Sequence, residues 1–284
     1  IKEVGVEIGP AKEIEGLENE ELQFGGIEHL NQVEKVIAVM SGKGGVGKSL
    51  VAGLLAVYLR RAGCCVGILD ADITGPSIPK MLIQGSHAME YSPRAFLPII
   101  SKTGIKVMSI NLLLRKEDEA VIWRGPLVGR AIKQFWTDTL WGNLDFMIVD
   151  LPPGTSDAPL TVMQSLPMSG VLLVTSPQDL AGMVVRKAAN MAQHIGVPLL
   201  GLVENMSFFK APDTGKDYEV FGPSHAEETA RSLNVPLIAR MPLDASIASL
   251  CDKGELEECQ MPAFEAVVEL IKFSPHEFRA PKMP

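Results

Sequence analysis

The stretch Ser41-Gly42-Lys43-Gly44-Gly45-Val46-Gly47-Lys48-Ser49 decides the reading of the chain. Gly42, Gly47, Lys48 and Ser49 fit the spacing G-x-x-x-x-G-K-[ST]. An apolar run, 36–40, precedes it, and a helical pattern over 47–61 follows. Glycines at this spacing let successive backbone N–H groups turn inward, toward phosphate oxygens. The N-terminus of the following helix adds its dipole. In this reading Gly42, Lys43, Gly44, Gly45, Val46 and Gly47 cradle the phosphates, Lys48 neutralises β- and γ-phosphate charge, and Ser49 ligates Mg²⁺. Residues 42–47 also spell G-x-G-x-x-G, with Asp70 at a strand end about twenty residues later, the dinucleotide pattern. That alternative leaves Lys48-Ser49 without a task and ignores a second acidic strand end. A nucleoside triphosphate is therefore the expected ligand.

The second acidic strand end is Asp145-Phe146-Met147-Ile148-Val149-Asp150. An apolar strand that delivers a carboxylate to the C-terminal edge of a sheet reads as a Walker B element, with Asp150 in the Mg²⁺ shell. A turn-forming Asp at a strand end is the plainer alternative. Pro152-Pro153-Gly154-Thr155 follows as a stiff turn, whose Gly154 amide is available to sense a γ-phosphate. Asp70 and Asp72 close the apolar run 66–69. Either could orient an attacking water, or simply shape the turn that follows.

Outward from these motifs, short apolar runs at 36–40, 66–69, 105–110, 146–151, 171–175, 199–204 and 236–239 alternate with helical stretches such as 178–194 and 224–233. Buried strands separated by helices predict an α/β fold with a mostly parallel sheet covered by helices on both faces. Ser224-His225-Ala226-Glu227 fits a capping box at a helix start. The stretches 75–102 and 207–223 break the alternation and read as a long loop and an insertion. Residues 1–35 read as an acidic arm, and 36–284 as a single phosphate-loop ATPase domain.

The chain has 284 residues, with 26 Lys and Arg against 34 Asp and Glu, a formal net charge of −8. That balance argues against a broad nucleic-acid footprint, which needs clustered cations. The longest apolar runs are strand-sized and far short of the roughly 20 residues of a membrane span. Ile1-Lys2-Glu3-Val4 lacks the apolar core of a secretory signal, and the tail around 264–281 lacks the basic amphipathic face of a membrane anchor. Four cysteines are too sparse for a disulfide scaffold. A cytoplasmic protein with reduced thiols is the expectation.

Lys43 inside the loop gives the deviant form K-G-G-V-G-K-[ST]. Further motifs accompany it: Leu69-Asp70-Ala71-Asp72, Gly75-Pro76-Ser77, Trp123-Arg124-Gly125-Pro126, Trp141-Gly142-Asn143-Leu144-Asp145, Asp150-Leu151-Pro152-Pro153-Gly154-Thr155-Ser156-Asp157, Ser176-Pro177-Gln178 and Val203-Glu204-Asn205-Met206-Ser207. Together they resemble the Mrp/ApbC family of P-loop ATPases, cytosolic iron–sulfur cluster carriers of the MinD/ParA-like (SIMIBI) superfamily. The resemblance runs from about 36 to 264. It implies a homodimer with ATP at the interface. It further implies that Lys43 reaches the partner's phosphates, that Asp72 rather than Asp70 orients water, and that Asn205 reads adenine, with Pro242-Leu243-Asp244 near the base. Apo iron–sulfur proteins are the clients it implies.

One departure matters. The family usually carries Cys-x-x-Cys after Glu-Asn-Met-Ser, and two subunits then share a cluster through four thiolates. Here Ala211 and Thr214 hold those positions. Cys64 and Cys65 are adjacent at a strand start, where alternation turns them to opposite sides, and they read as small buried apolar residues. Cys251 and Cys259 remain as cluster-ligand candidates, although their spacing and acidic surroundings argue for isolated thiols. His194 and His225 read as helix-end residues, and no His/Cys/carboxylate group suggests zinc. The leading reading is an ATP-hydrolysing carrier or scaffold in iron–sulfur assembly that lacks the usual ligand pair. The alternative is a regulatory or partner-positioning ATPase that carries no cluster. An electron-donating ATPase of the nitrogenase-reductase type ranks last, since no cysteine lies between Cys65 and Cys251.

Overall fold

The computed structural model describes residues 27–72, 75, 77–85, 90–92, 95–109, 112 and 125–273. Residues 1–26 of the expected arm, Ile73, Thr74, Pro76, Ile110, Trp123, Arg124 and the tail 274–284 lie outside the described residues.

The first half of the chain builds β1 (Gln32–Ser41), α1 (Lys48–Arg61), β2 (Val66–Asp70), α2 (Ile78–Leu82), β3 (Glu90–Ser92), β4 (Ala95–Leu97), β5 (Ile99–Ile100), β6 (Lys106–Ser109) and α3 (Gly125–Thr137). The second half adds β7 (Asn143–Asp150), α4 (Asp157–Ser165), β8 (Gly170–Thr175), α5 (Asp179–His194), β9 (Leu199–Lys210), β10 (Asp217–Tyr218), α6 (Ala226–Leu233), β11 (Leu237–Pro242), α7 (Ala245–Lys253) and α8 (Ala263–Phe273).

The main sheet runs β10-β9-β8-β1-β7-β2-β6-β5, with β11 also paired to β9. Strands β1, β2, β6, β7, β8, β9 and β11 pair in parallel, and only β5 and β10 join antiparallel. The period of two along each strand sends alternate side chains to opposite faces. Ile37 and Val39 enter a core formed with Leu54, Leu55, Leu59, Ile78 and Phe264. Ala38 and Met40 enter a second core with Ile132, Phe135, Val162, Val185 and Ala230. The sheet is thus covered on both faces, as the apolar runs predicted. Leu54, Leu55 and Leu59 are fully buried, and each such side chain stabilises the fold by about 2 kcal/mol. Trp141 is fully buried too, and its indole N–H donates to the Phe135 carbonyl at 3.0 Å. That motif is scaffolding.

Several expectations need correction. Strand β1 begins at Gln32, before the apolar run, because Gln32 and Val33 already pair with Asn143 and Leu144 of β7. The stretch 75–102 is not a plain loop: it holds α2, the β3–β4 hairpin and β5. Strand β9 does not stop at Glu204 but continues to Lys210, where β10 pairs with it, Asp217 opposite Lys210 and Tyr218 opposite Phe209. A β-forming Phe208-Phe209 and an opposite-charge cross-strand pair favour that extension. The capping box at α6 is not formed either. His225 takes the cap position without a side-chain cap bond, and Ser224 Oγ accepts from Ala226 N at 3.2 Å. No helix among the described residues is long and apolar enough to cross a membrane.

Candidate functional site

Strand β1 ends at Ser41, fully buried in the centre of the sheet, and α1 starts at Lys48. The loop between them bends through Gly45 (φ +79°) and Gly47 (φ +80°), in the left-handed region that glycine enters without steric cost. Gly47 takes the cap position of α1, which has no side-chain cap and no acidic residue in its first turn. The helix therefore turns unsatisfied N–H groups toward the loop, the condition for holding an anion.

Lys48 is 5% exposed and points into a cluster of carboxylates at the C-terminal strand ends. Its Nζ donates to Asp150 Oδ1 at 2.6 Å, and lies 3.6 Å from Asp72 Oδ2 and 3.4 Å from Ser49 Oγ. Asp150 Oδ2 is buried with no hydrogen-bond partner. An orphaned carboxylate oxygen this deep is costly, and together with the Ser49 hydroxyl it fits the donor set of a hard divalent cation. Burial pushes the Asp150 carboxyl up, against the pull of the Lys48 ammonium. Asp70 lies opposite Asp150 in the β2–β7 register. Burial, and then the Asp150 charge, push it up to about 7. Thus β2 and β7 deliver their terminal carboxylates to one spot.

The remaining expected residues fall around this centre. Lys43 is half-buried and its Nζ donates to Gln178 Oε1, a residue just ahead of α5. The Gly154 N–H, expected to be available, donates to the Ser41 carbonyl at 3.0 Å. That bond anchors the turn after β7 to the loop. Asn205 is 2% exposed, and its Nδ2 donates to the Val46 carbonyl at 3.0 Å. A bulge in β9 delivers it there: the pairing with β11 jumps from Arg240↔Glu204 to Pro242↔Phe208, and Met206 adopts φ +56°. Pro242 ends β11, and Asp244 caps α7, its Oδ1 accepting from Ser246 N at 2.8 Å.

Two partners escaped the sequence reading although their motifs were in view. Gln178 holds Lys43. Glu204, 1% exposed, accepts from Ser207 Oγ at 2.5 Å and lies 3.4 Å from Arg240 Nε, which ties β9 to β11. A cavity of about 420 Å³ opens beside Gln178, lined by Ser176, Arg186, Glu204, His225 and Thr229. The loop 42–49 does not line it, so that cavity is separate from the glycine loop and Lys48.

No thiolate pair accompanies the site. Cys64 is buried but Cys65 is exposed, correcting the expectation that both are buried: they face opposite ways at the start of β2. Cys251 is half-buried, and burial, then the neighbouring Cys259 and Asp252, push its thiol up to about 11. Cys259 is buried in the core, and burial raises its thiol as well. Ala211, almost buried, and Thr214, exposed, sit in the turn between β9 and β10. Among the described residues no group of three or more His, Cys, Asp or Glu could hold a metal ion. His194 Nδ1 contacts the Asn190 carbonyl, and His225 lies 3.7 Å from Glu228, both at helix ends. Iodoacetamide at neutral pH should therefore label Cys65 first, with Cys64, Cys251 and Cys259 at least about tenfold slower until the chain unfolds. Peptide mapping checks this order.

Comparison with known proteins completes the picture. An iron–sulfur cluster carrier protein of Methanocaldococcus jannaschii is 44% identical over 229 residues, 80% of this chain and 79% of that one. A protein of the same name from Clostridium perfringens is 42% identical over 246 residues, covering 84% and 86%. A nucleotide-binding protein from Archaeoglobus fulgidus, solved in complex with ADP, is 41% identical with a TM-score of 0.75, covering 87% of this chain and 94% of that one. The cell division ATPase MinD of Pyrococcus furiosus shares the fold at a TM-score of 0.60 and 22% identity, over 84% of this chain and 98% of its own. Residues 32–273 match the family described as NUBPL iron-transfer P-loop NTPase, so a phosphate loop opening α1 and carboxylates closing β2 and β7 belong here to a member of that family.

Proposed function

We propose that the protein is an ATP-hydrolysing homodimeric carrier in iron–sulfur cluster assembly, one that does not hold its cargo through the usual Cys-x-x-Cys. The observation that carries this reading is the Lys48–Asp150–Asp72 constellation at the mouth of the glycine loop. The name borne by relatives above 40% identity supplies the cargo. Those relatives favour a carrier over a partner-positioning ATPase, since the likeness to MinD at 22% identity speaks for the fold alone.

The loop amides and Lys48 bind the β- and γ-phosphates. Ser49 and Asp150 would hold Mg²⁺, which when bound neutralises phosphate charge. Asp72 orients the attacking water by accepting its hydrogen bond. Lys43 leaves Gln178 and completes the partner's site. Asn205, Pro242 and Asp244 face the base side. Hydrolysis is slow without a partner protein, because a switch that fires alone transmits nothing. Lys43→Ala should leave ATP affinity within about threefold but lower turnover roughly 100-fold, the scale of one lost transition-state charge contact. Undiminished turnover by that variant would sink the cross-subunit role.

The donor chemistry of Ala211 and Thr214 does not fit an iron–sulfur cluster, which is cargo here and needs thiolate or comparable ligands. The decisive test is anaerobic incubation with iron and sulfide, followed by addition of an apo iron–sulfur acceptor protein with and without ATP. ATP-dependent activation of the acceptor is expected, and it should survive Cys251→Ala/Cys259→Ala. Absence of retained iron and of any ATP-dependent activation, with ATP binding intact, would favour the partner-positioning reading.

A further inference from the structure

We propose that Asp70 is the positioning residue for Asp72: one buried carboxylate pins both ends of the short segment that carries the water-orienting side chain. The proposal rests on the ATPase reading above, in which Asp72 is the catalytic residue.

Asp70 closes β2 and is fully buried. Its two oxygens accept four hydrogen bonds. Oδ1 accepts from Asp72 N at 3.1 Å. Oδ2 accepts from Ser77 N at 3.0 Å and from Ile78 N at 3.1 Å, at the start of α2. It also accepts from Ser109 Oγ at 3.3 Å, on the neighbouring strand β6. Three of these bonds fall on Oδ2 and one on Oδ1, so both carboxyl oxygens are engaged. The chain therefore leaves β2 at Asp70, turns through Asp72, whose carbonyl accepts from Gly75 N at 3.4 Å, and returns to the same carboxylate at Ser77. Ser109 fixes the carboxylate from the sheet side, since Asp70 and Ser109 are register partners.

The tether caps the start of α2, but the core also holds that helix. Ile78 and Leu82 anchor that helix in the core, at 0% and 2% exposure. Ala71, fully buried and bonded through its N–H to the Asp150 carbonyl at 3.0 Å, fixes the chain ahead of Asp72. The bonds at the Asp72 N–H and carbonyl extend that hold to Asp72 itself, whose Oδ2 stands 3.6 Å from Lys48 Nζ. An error of about 1 Å in a group that must meet a water can lower a rate roughly 100-fold, so a clasp of this kind acts on turnover rather than on binding.

The test is a double-mutant cycle on ATP hydrolysis with the full chain. Asp70→Asn keeps the size but turns an amide NH₂ toward N–H donors. It should lower kcat roughly 30-fold while ATP affinity, read with a fluorescent ATP analogue, stays within about threefold. Asp72→Asn should lower kcat at least as far, and the double variant should match Asp72→Asn within about twofold, because a residue acting through another adds nothing once the other is gone. Ser109→Ala, a milder change, should lower kcat about threefold in the wild type and leave Asp72→Asn unchanged. Backbone amides of Asp72, Ser77 and Ile78 should be protected from hydrogen exchange in the wild type and lose protection in Asp70→Asn. Multiplying effects in the double variant would overturn the proposal, as would equal losses of affinity and turnover. Unchanged amide protection in Asp70→Asn would overturn the clasp itself. If the wild type turns over no ATP, the ATPase reading fails and takes the catalytic role with it, while amide exchange still decides whether the clasp exists.

Discussion

Lys48→Ala is expected to weaken ATP binding roughly 100-fold, about 2.7 kcal/mol, and to destabilise the unliganded protein by about 3 kcal/mol. Both effects come from one ammonium. In the liganded state of the proposed ATPase it makes charge-assisted bonds to phosphate oxygens, worth about 1.5–3 kcal/mol each. In the unliganded state it sits 2.6 Å from Asp150 and 3.6 Å from Asp72. Removing it leaves buried carboxylates without their cation, and such groups escape by taking up protons. The pH dependence then has a definite sign. Asp70 is already raised to about 7 by burial and the Asp150 charge, whereas unfolded it ionises near the ordinary value of about 4. Between those values the unfolded state holds fewer protons than the folded one, so this group's contribution to stability falls as pH rises from about 4 to about 7. Loss of Lys48 pushes the cluster further the same way. The stability deficit of Lys48→Ala should therefore be smaller at pH 5 than at pH 8. Denaturant titrations at both values, with ATP affinity from a fluorescent analogue, measure all of this. Affinity within threefold of wild type would remove Lys48 from the phosphate site.

The second large effect concerns the glycines, which a motif treats alike and the packing does not. A methyl group at Gly42 would lie 2.2 Å from the Val184 carbonyl carbon and 2.3 Å from its oxygen, in the backbone of α5. Backbone in mid-helix cannot step aside, so Gly42→Ala should cost about 3 kcal/mol or more and abolish ATP binding. At Gly45 the φ is +79° and no heavy atom lies within 4 Å of the added carbon. Gly45→Ala therefore pays only for the left-handed backbone, about 1–2 kcal/mol. Gly47→Ala falls between. It adds the same strain at φ +80°, and its carbon would lie 2.0 Å from Asn205 Nδ2, which must break its bond to the Val46 carbonyl. Chemical denaturation of the three variants gives the order Gly42→Ala, Gly47→Ala, Gly45→Ala from worst to mildest. Equal tolerance at 42 and 45 would mean that α5 does not seat on the loop.

These contrasts mark where sequence reading stopped. Ser41–Ser49 was legible because a phosphate cradle is local: glycine conformations, a lysine and a hydroxyl follow within nine residues. The sheet was legible because buried parallel strands print continuous apolar runs, and the alternation with helices fixes the connection. Asp150 could be placed beside the loop because the end of an apolar strand places it there. Gln32–Lys35, by contrast, are mostly polar and look like arm, yet Gln32, Val33 and Lys35 pair with β7. Strand β9 looked finished at Glu204, yet its bulge at Asn205–Ser207 and its run to Lys210 depend on β11 and β10 beside it. Alternation predicts that Cys64 and Cys65 face opposite ways, but which of the two is buried depends on what packs around them ahead of β2.

Sequence alone determined the fold class, the phosphate loop, the acidic strand ends and the missing thiols at 211 and 214, since each is written in consecutive residues or in a simple period. Tertiary structure placed Asp72 against Lys48 and gave Asp70 the hydrogen bonds from Ser77, Ile78 and Ser109. It also decided that Asn205 lies under Val46 and that Gly42 must be bare against α5. Those facts join residues far apart in the chain, 39 positions for Ser109 with Asp70 and 159 for Asn205 with Val46. No local pattern encodes such distances; the packing of two cores against one sheet does.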